Sequence, residues 1–374
     1  MAKILFISNI GKRVGSFSVA SIAAAKQAEH EFYYAANWNA ATMEQRQEDE
    51  ERYGIKLVHI DLARSPYSPN NIRAYKQLVS FIEREKIDFI HCNTPVGGML
   101  GRLAGRKCKV KKIIYQVHGF HFYSGAPKKN WMIYYPIEKW LAKKTDAIIT
   151  INKEDFERAN TFKLRNNGKV YYVPGVGMDL SQYELPENTR DNKRSELGLN
   201  DTDVALISMG DLIERKNYPV AIETVAKCQN RNLHYFICGK GPDEEKLQKM
   251  AEDMGVKEQV HFLGFRTDIK ELLEAADIFL FTSKQEGLAR SMMEAMASGL
   301  PCIASRIRGN TDLLENSNGG FLCSTVEEYV ATIKKLVDNP EILKQMSVAN
   351  LERIKSFDMN SAIKALYKVY EKEF

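Results

Sequence analysis

The chain has 374 residues, 44% apolar and 27% charged, with a net charge of +5. That is long for one hydrophobic core and ordinary for a globular protein, so two domains are expected. It contains no run of 18 or more apolar residues, which argues against a membrane-spanning helix. Met1-Ala2-Lys3 runs straight into Ile4-Leu5-Phe6-Ile7 without the basic start, apolar stretch or cleavage site of a signal peptide, so a cytoplasmic location is expected.

In chain order, Lys3–Ser8 is an apolar β-rich run ending in the small-residue loop Ser8-Asn9-Ile10-Gly11. A helical stretch follows over Ser18–Ala28, then strands over Phe32–Ala35 and Ile55–Ile60. Asn71–Glu85 carries Ile72, Tyr75, Leu78, Val79 and Ile82 on one face and reads as an amphipathic helix. Asp88–Cys92, Lys112–Val117 and Ala147–Ile151 read as strands, with helices over Gly97–Arg106 and Tyr134–Lys143 between them. The rhythm breaks over Val173–Tyr183, where Pro174, Gly175 and Gly177 suggest a crossover between domains.

The alternation then restarts. Strands are expected over Val204–Met209, His234–Cys238, Val260–Leu263, Ile278–Thr282 and Cys302–Ser305. Helices fall at Tyr218–Cys228, Asp243–Met254, Ile269–Glu274 and Ser291–Ser298, then Val326–Asp338, Pro340–Lys355 and Asn360–Lys372. Strands alternating with helices at this spacing give βαβ units and parallel sheets. The expected architecture is an α/β protein of two Rossmann-like domains with a cleft between them, ligands lying beyond the C-terminal strand ends. Residues 1–178 make the first domain, 179–356 the second, and 357–374 a terminal helix packing back on the first.

Six cysteines are scattered without a C-x-x-C pair or a histidine at zinc spacing, and read as buried small hydrophobes. Charge is uneven: residues 1–180 carry 28 Lys+Arg against 17 Asp+Glu, and the remainder 25 against 31. The basic residues cluster at Arg102, Arg106, Lys107, Lys109, Lys111 and Lys112, then Lys128 and Lys129, then Lys143 and Lys144. These make either a solvated surface or a face attracted to anionic lipid. No recognition motif or aromatic-basic interleaving supports nucleic-acid binding.

Four strand-to-helix loops of the second half carry the chemistry. Gly210-Asp211-Leu212-Ile213-Glu214-Arg215-Lys216-Asn217 sets two cations before a helix, where amides and the macrodipole favour a diphosphate. Gly239-Lys240-Gly241-Pro242 allows close backbone approach. Gly264-Phe265 ends an apolar strand and could wall a flat base. The strongest signal runs from Glu286 through Gly287, Leu288, Ala289, Arg290 and Ser291 to Glu294, then Ala295-Met296-Ala297-Ser298-Gly299-Leu300-Pro301. It sets a carboxylate at each end of a small-residue loop and helix start, suited to phosphate amide contacts and sugar hydroxyls.

This Glu-x7-Glu pattern resembles the signature of family-four retaining glycosyltransferases of the GT-B fold, and the other loops fall in the family's order. Tyr115-Gln116-Val117-His118-Gly119-Phe120-His121-Phe122-Tyr123 and Thr145–Asp155 look like bacterial enzymes that build exopolysaccharide or capsule repeat units. The resemblance implies a nucleotide-sugar donor, UDP-linked by expectation, and a glycan or lipid-linked acceptor at the inner membrane face. Glu294 would bind the ribose hydroxyls, Glu286 the donor sugar, and Lys216 with Arg215 the diphosphate. The backbone from Gly287 to Ser291 would touch phosphate or sugar, and Phe265 the base. Gly239 and Gly11 are placed with the donor-binding positions, and His118 near the anomeric carbon.

Asp211 departs from the arginine common in the family, so Arg215 or a basic residue of the first domain is expected to compensate. Asp201-Thr202-Asp203 matches an Asp-x-Asp metal motif but precedes a strand and reads as a turn. Neither metal nor cofactor is expected, since Lys216 and the helix amides can meet the leaving charge. A nucleotide-sugar 2-epimerase and a non-catalytic nucleotide-sugar-binding partner are the competing classes.

Overall fold

In a computed structural model covering residues 1–374, the chain divides into Met1–Met178 with Phe357–Phe374, and Asp179–Ser356. The first unit holds β1 (Lys3–Ile10), β2 (Glu31–Asn37), β3 (Lys56–His59), β4 (Phe89–Asn93), β5 (Lys112–Val117), β6 (Ala147–Thr150) and β7 (Lys169–Tyr172). They form one parallel sheet in the order β3-β2-β1-β4-β5-β6-β7. The second holds β8 (Val204–Met209), β9 (Leu233–Cys238), β10 (Val260–Gly264), β11 (Ile278–Phe281), β12 (Cys302–Ser305) and β13 (Gly320–Cys323). Its parallel order is β10-β9-β8-β11-β12-β13. Both sheets reverse direction beside their first strand, the Rossmann-like plan.

The core strands bury both faces, as parallel sheets must; Ile4 to Ile7 are at most 1% exposed. One face of the first sheet carries Leu78, Ile82, Leu100 and Ala104 from helices Asn70–Glu85 and Pro95–Lys107. The other takes Ala20, Ala24 and Ala25 of helix Ser16–Gln27 and Leu366, Val369 and Tyr370 of helix Met359–Glu373. The alanines leave the depth that the larger residues fill. The chain re-enters this unit through a parallel bridge, where Met359 N donates to Met178 O (2.8 Å) and Met178 N to Phe357 O (3.0 Å). Tyr370 is wholly buried, 2.6 Å from His91 Nδ1 through its hydroxyl.

Elements that the periodicity missed share a cause. β7 and β13 are four-residue edge strands too short to show a period, and helix Met43–Tyr53 buries only Asp49, so none gives a periodic apolar signal. Asp49 is buried to bind Arg13 Nη2 (2.8 Å) and Val14 N (2.7 Å). Helix Lys128–Ala142 begins well before Tyr134 because its outer face is apolar too, which blurs the stripe. All six cysteines are free, and all but the half-buried Cys108 are buried.

The basic run of the first unit is not one surface. Arg102 is fully buried, its guanidinium forked onto Glu138 at 2.8 and 3.1 Å, donating to Gly98 O at 2.8 Å and lying over Tyr115. Lys111 pairs with Asp88 (2.6 Å) and Lys112 with Glu373 (2.9 Å). Burial of an arginine is tolerated only where its charge and donors are met. Glu138→Leu alone should therefore cost about 3–5 kcal/mol, and Arg102→Met added to it should recover most of that loss. Urea unfolding of the single and double variants checks this.

Candidate active site

In the order β9-β8-β11, chain connections leave β8 and β11 toward opposite faces, so a crevice opens at their C-terminal ends. The loops after these strands meet there. Thr282 Oγ1 donates to Asn217 O (2.9 Å), and Lys284 N donates to Arg215 O (2.8 Å). Asn217 stands in the left-handed region (φ 57°) and turns the chain into helix Tyr218–Cys228, whose first turn has no side-chain cap.

The two cations and the first glutamate of the motif form one cluster. Glu286 Oε1 accepts from Arg215 Nη1 (2.9 Å), Lys216 Nζ (2.9 Å) and Ser283 Oγ (2.7 Å). Arg215 also donates to Gln285 O (2.8 Å), and the Lys216 ammonium lies 4.9 Å from the Phe281 ring. Lys216 and Glu286 side chains are each only 12% exposed, where charge-assisted bonds are strong. All three contacts fall on Oε1, which leaves Oε2 to accept from a hydroxyl. Lys216 is shared between this carboxylate and any anion that arrives beside it.

Helix Arg290–Ala297 follows, with Ala289 at its cap and no side-chain cap bond. Its opening amides therefore have no side-chain acceptor, as an anion site requires. Ser291 is half-buried in the first turn. Glu294, one turn in, accepts from Arg290 Nε at 2.9 Å. Tyr183 is near enough that the Glu294 charge, after burial, raises its phenol pKa.

One contributor escaped the sequence pattern. Arg308, 6% exposed, donates from Nε to Glu286 O (3.0 Å). Gly309 beside it has φ 82°, and a Cβ there would lie 2.5 Å from Gly287 O. The loop after β12 thus buttresses the glutamate loop from below, and only glycine fits the contact. The signal was a fifth strand-to-helix loop of the second half, Ser305-Arg306-Ile307-Arg308-Gly309-Asn310, just past the motif.

Other positions divide. Asp211 is exposed at the end of β8, so the departure from arginine stands. Phe265 is 74% exposed. Gly239 N–H donates to Gly264 O (2.8 Å), and a Cβ there would strike Gly210 O. Gly11 N–H donates to Asn37 O (3.0 Å), and a Cβ there would strike the Trp38 ring. Asp203 accepts from Asn200 N (2.8 Å) and closes a turn.

In the first unit, His118 follows β5. Both ring nitrogens are buried without a hydrogen-bond partner, and Phe17 meets the ring edge-on at 5.1 Å. Burial pushes its pKa down to about 4, so the imidazole is neutral at physiological pH. It lines a cavity of about 470 Å³ with Met99, Phe120, Tyr134, Ile137 and, at the rim, Arg64. His121 stacks on Tyr134 at 4.6 Å.

These two parallel α/β units give the class of the molecule: its fold is the GT-B fold of glycosyltransferases. Residues 189–353 match the family described as glycosyl transferases group 1, and residues 35–152 that described as glycosyl transferase 4-like. EpsD of Bacillus subtilis (strain 168) is 32% identical over 98% of this chain and 96% of its own length. An Escherichia coli UDP-Gal:alpha-D-GlcNAc-diphosphoundecaprenol alpha-1,3-galactosyltransferase is 31% identical over 74% of this chain and 73% of its own. Anabaena Alr3699/HepE, solved with UDP and glucose, superposes with a TM-score of 0.80 over the whole of both chains at 19% identity. The chain belongs to the group 1 glycosyltransferases and is a glycosyltransferase enzyme.

The neutral His118 sets a pH dependence. The unfolded imidazole, near 6.5, takes its proton before the folded one, near 4, as pH falls. This residue's contribution is therefore full above about 6.5 and is lost toward 4. His118→Gln should flatten the stability-against-pH curve in that window, read by denaturant melts at fixed pH steps.

Proposed function

We propose that this enzyme transfers a sugar, with retention, from a UDP-sugar to a hydroxyl of a lipid-linked or glycan acceptor in bacterial exopolysaccharide or capsule synthesis. Its place in this reading is the cytoplasm, peripheral on the inner face of the membrane. The observation that carries it is Glu286, held on one oxygen by Arg215, Lys216 and Ser283 beside an uncapped helix start. The names of its relatives support it: one uses UDP-galactose and a diphosphoundecaprenol-linked acceptor, and the HepE structure contains UDP with glucose.

In this mechanism the second unit holds the donor. The ribose hydroxyls bind Glu294, which exchanges its Arg290 contact for them. The diphosphate lies against Lys216, Arg215 and the amides from Leu288 to Ser291, which stabilise the charge that grows as it departs. Glu286 Oε2 accepts from a donor-sugar hydroxyl and fixes the ring. No carboxylate is assigned as nucleophile. The acceptor hydroxyl attacks the face that the diphosphate leaves, and the departing phosphate oxygen takes the proton. The cations and amides make a cofactor unnecessary, and buried Arg308 keeps the loop positively biased despite Asp211. His118 stays neutral, so it can either donate to or accept from a sugar hydroxyl without charging.

Glu294→Ala should weaken UDP binding about tenfold or more, the loss of a charge-assisted hydrogen bond. His118→Ala should lower kcat more than it raises the donor KM. Calorimetry with UDP and steady-state kinetics check both. Mass spectrometry with and without acceptor tests the reaction class: a sugar isomerised in the absence of acceptor would overturn transfer.

A further inference from the structure

Helix Lys128–Ala142 is apolar on two sides. Inward, Trp131 and Tyr135 pack on the core, Leu141 is buried, and Glu138 is held by Arg102. Outward, Met132 is 78% exposed, Trp140 49%, Ile133 47% and Ile137 43%. With Pro136 these residues fall at i, i+1, i+4, i+5 and i+8, a single stripe on the helix. A rigidly anchored helix thus shows solvent a continuous apolar face that a folded surface does not ordinarily keep.

The charges around that stripe are of one sign. Lys128, Lys129, Lys139 and Lys143 are exposed around it and at its ends, and the Lys144 ammonium lies 4.2 Å from the Trp140 ring. The only acid in the helix is Glu138, which turns inward to Arg102. An apolar stripe with an indole and a lysine border matches an anionic bilayer surface, where alkyl groups sink and ammonium groups stay with the headgroups. Pro136 cannot donate to the Met132 carbonyl, which must then find water, so the stripe suits headgroup depth rather than the hydrocarbon centre.

The stripe runs into the His118 cavity: the half-exposed Ile133 and Ile137 line it together with Tyr134 and Leu141 of the same helix. We propose that this helix lies in the headgroup layer of an anionic membrane, and that the cavity behind it receives the lipid-linked acceptor directly from the bilayer. The proposal rests on the lipid-linked acceptor reading above. It places the membrane contact on this helix; within the basic Arg102–Lys112 run, Arg102 is buried on Glu138, and Lys111 and Lys112 pair with Asp88 and Glu373.

The test uses the full chain and vesicles of phosphatidylcholine with or without phosphatidylglycerol, carrying lipids brominated near the headgroup. Bromine should quench tryptophan fluorescence with anionic vesicles, and Trp140→Phe should remove most of that quenching. Met132→Asp with Trp140→Asp should weaken partition into anionic vesicles about tenfold or more while the UDP-induced thermal shift is kept. Turnover of a long-chain lipid diphosphate-sugar in vesicles should fall in parallel, and turnover of a short-chain soluble analogue should not. Native protein that is not quenched by anionic vesicles would sink the docking. So would a concentration-dependent dimer that shields Trp140 without lipid, since a second copy would then own this face. If quenching holds but neither acceptor is used, the functional reading fails while the membrane contact survives.

Discussion

The molecule turns on a charge problem at the end of a sheet. Wherever the strand order reverses, the backbone leaves a crevice rimmed by helix starts, and such a rim attracts anions. In the second unit the chain fills part of that rim with its own anion, Glu286, tied through one oxygen to Arg215, Lys216 and Ser283. The carboxylate holds two flexible cations in place before any ligand arrives and still has an oxygen to give. Preorganisation of this kind is what electrostatic catalysis needs, since groups already oriented cost nothing to reorient when charge develops.

Much of this was legible in the sequence because it is written in repetition. The alternation of apolar strands and helices is a period effect, and parallel sheets buried on both faces give it at full strength. The Glu286–Glu294 loop was legible because eight residues of fixed spacing join a strand end to a helix start. What stayed hidden is what no period encodes. β7 and β13 are short and at sheet edges, and helix Met43–Tyr53 is stabilised by its Thr42 capping box and by Asp49 rather than by an apolar face. Arg308 reaches the site from a neighbouring loop, a tertiary fact.

The charges show the same limit more sharply. A count of lysines and arginines makes the first half basic, and the count is right. Which of those charges leave water is decided by partners elsewhere in the chain: Glu138 holds Arg102 fully buried and Glu373 takes Lys112, whereas Lys111 stays exposed beside Asp88. The glycines repeat the lesson. Gly11 and Gly239 are places of close approach, where a Cβ would strike Trp38 in one case and Gly210 in the other. A glycine in a sequence announces a near approach without saying by what.

The helix Met359–Glu373 has a consequence for how the molecule is made. It supplies Leu366, Val369 and Tyr370 to the core of a unit whose other 178 residues were synthesised first. During translation that unit waits, its alanine-lined groove uncovered, while the whole second unit emerges and folds. Residues made only after the second unit close the hydrophobic core of the first. A nascent chain of this design presents a sticky intermediate for the time needed to add 178 more residues, and chaperone demand in the cell should centre on that interval.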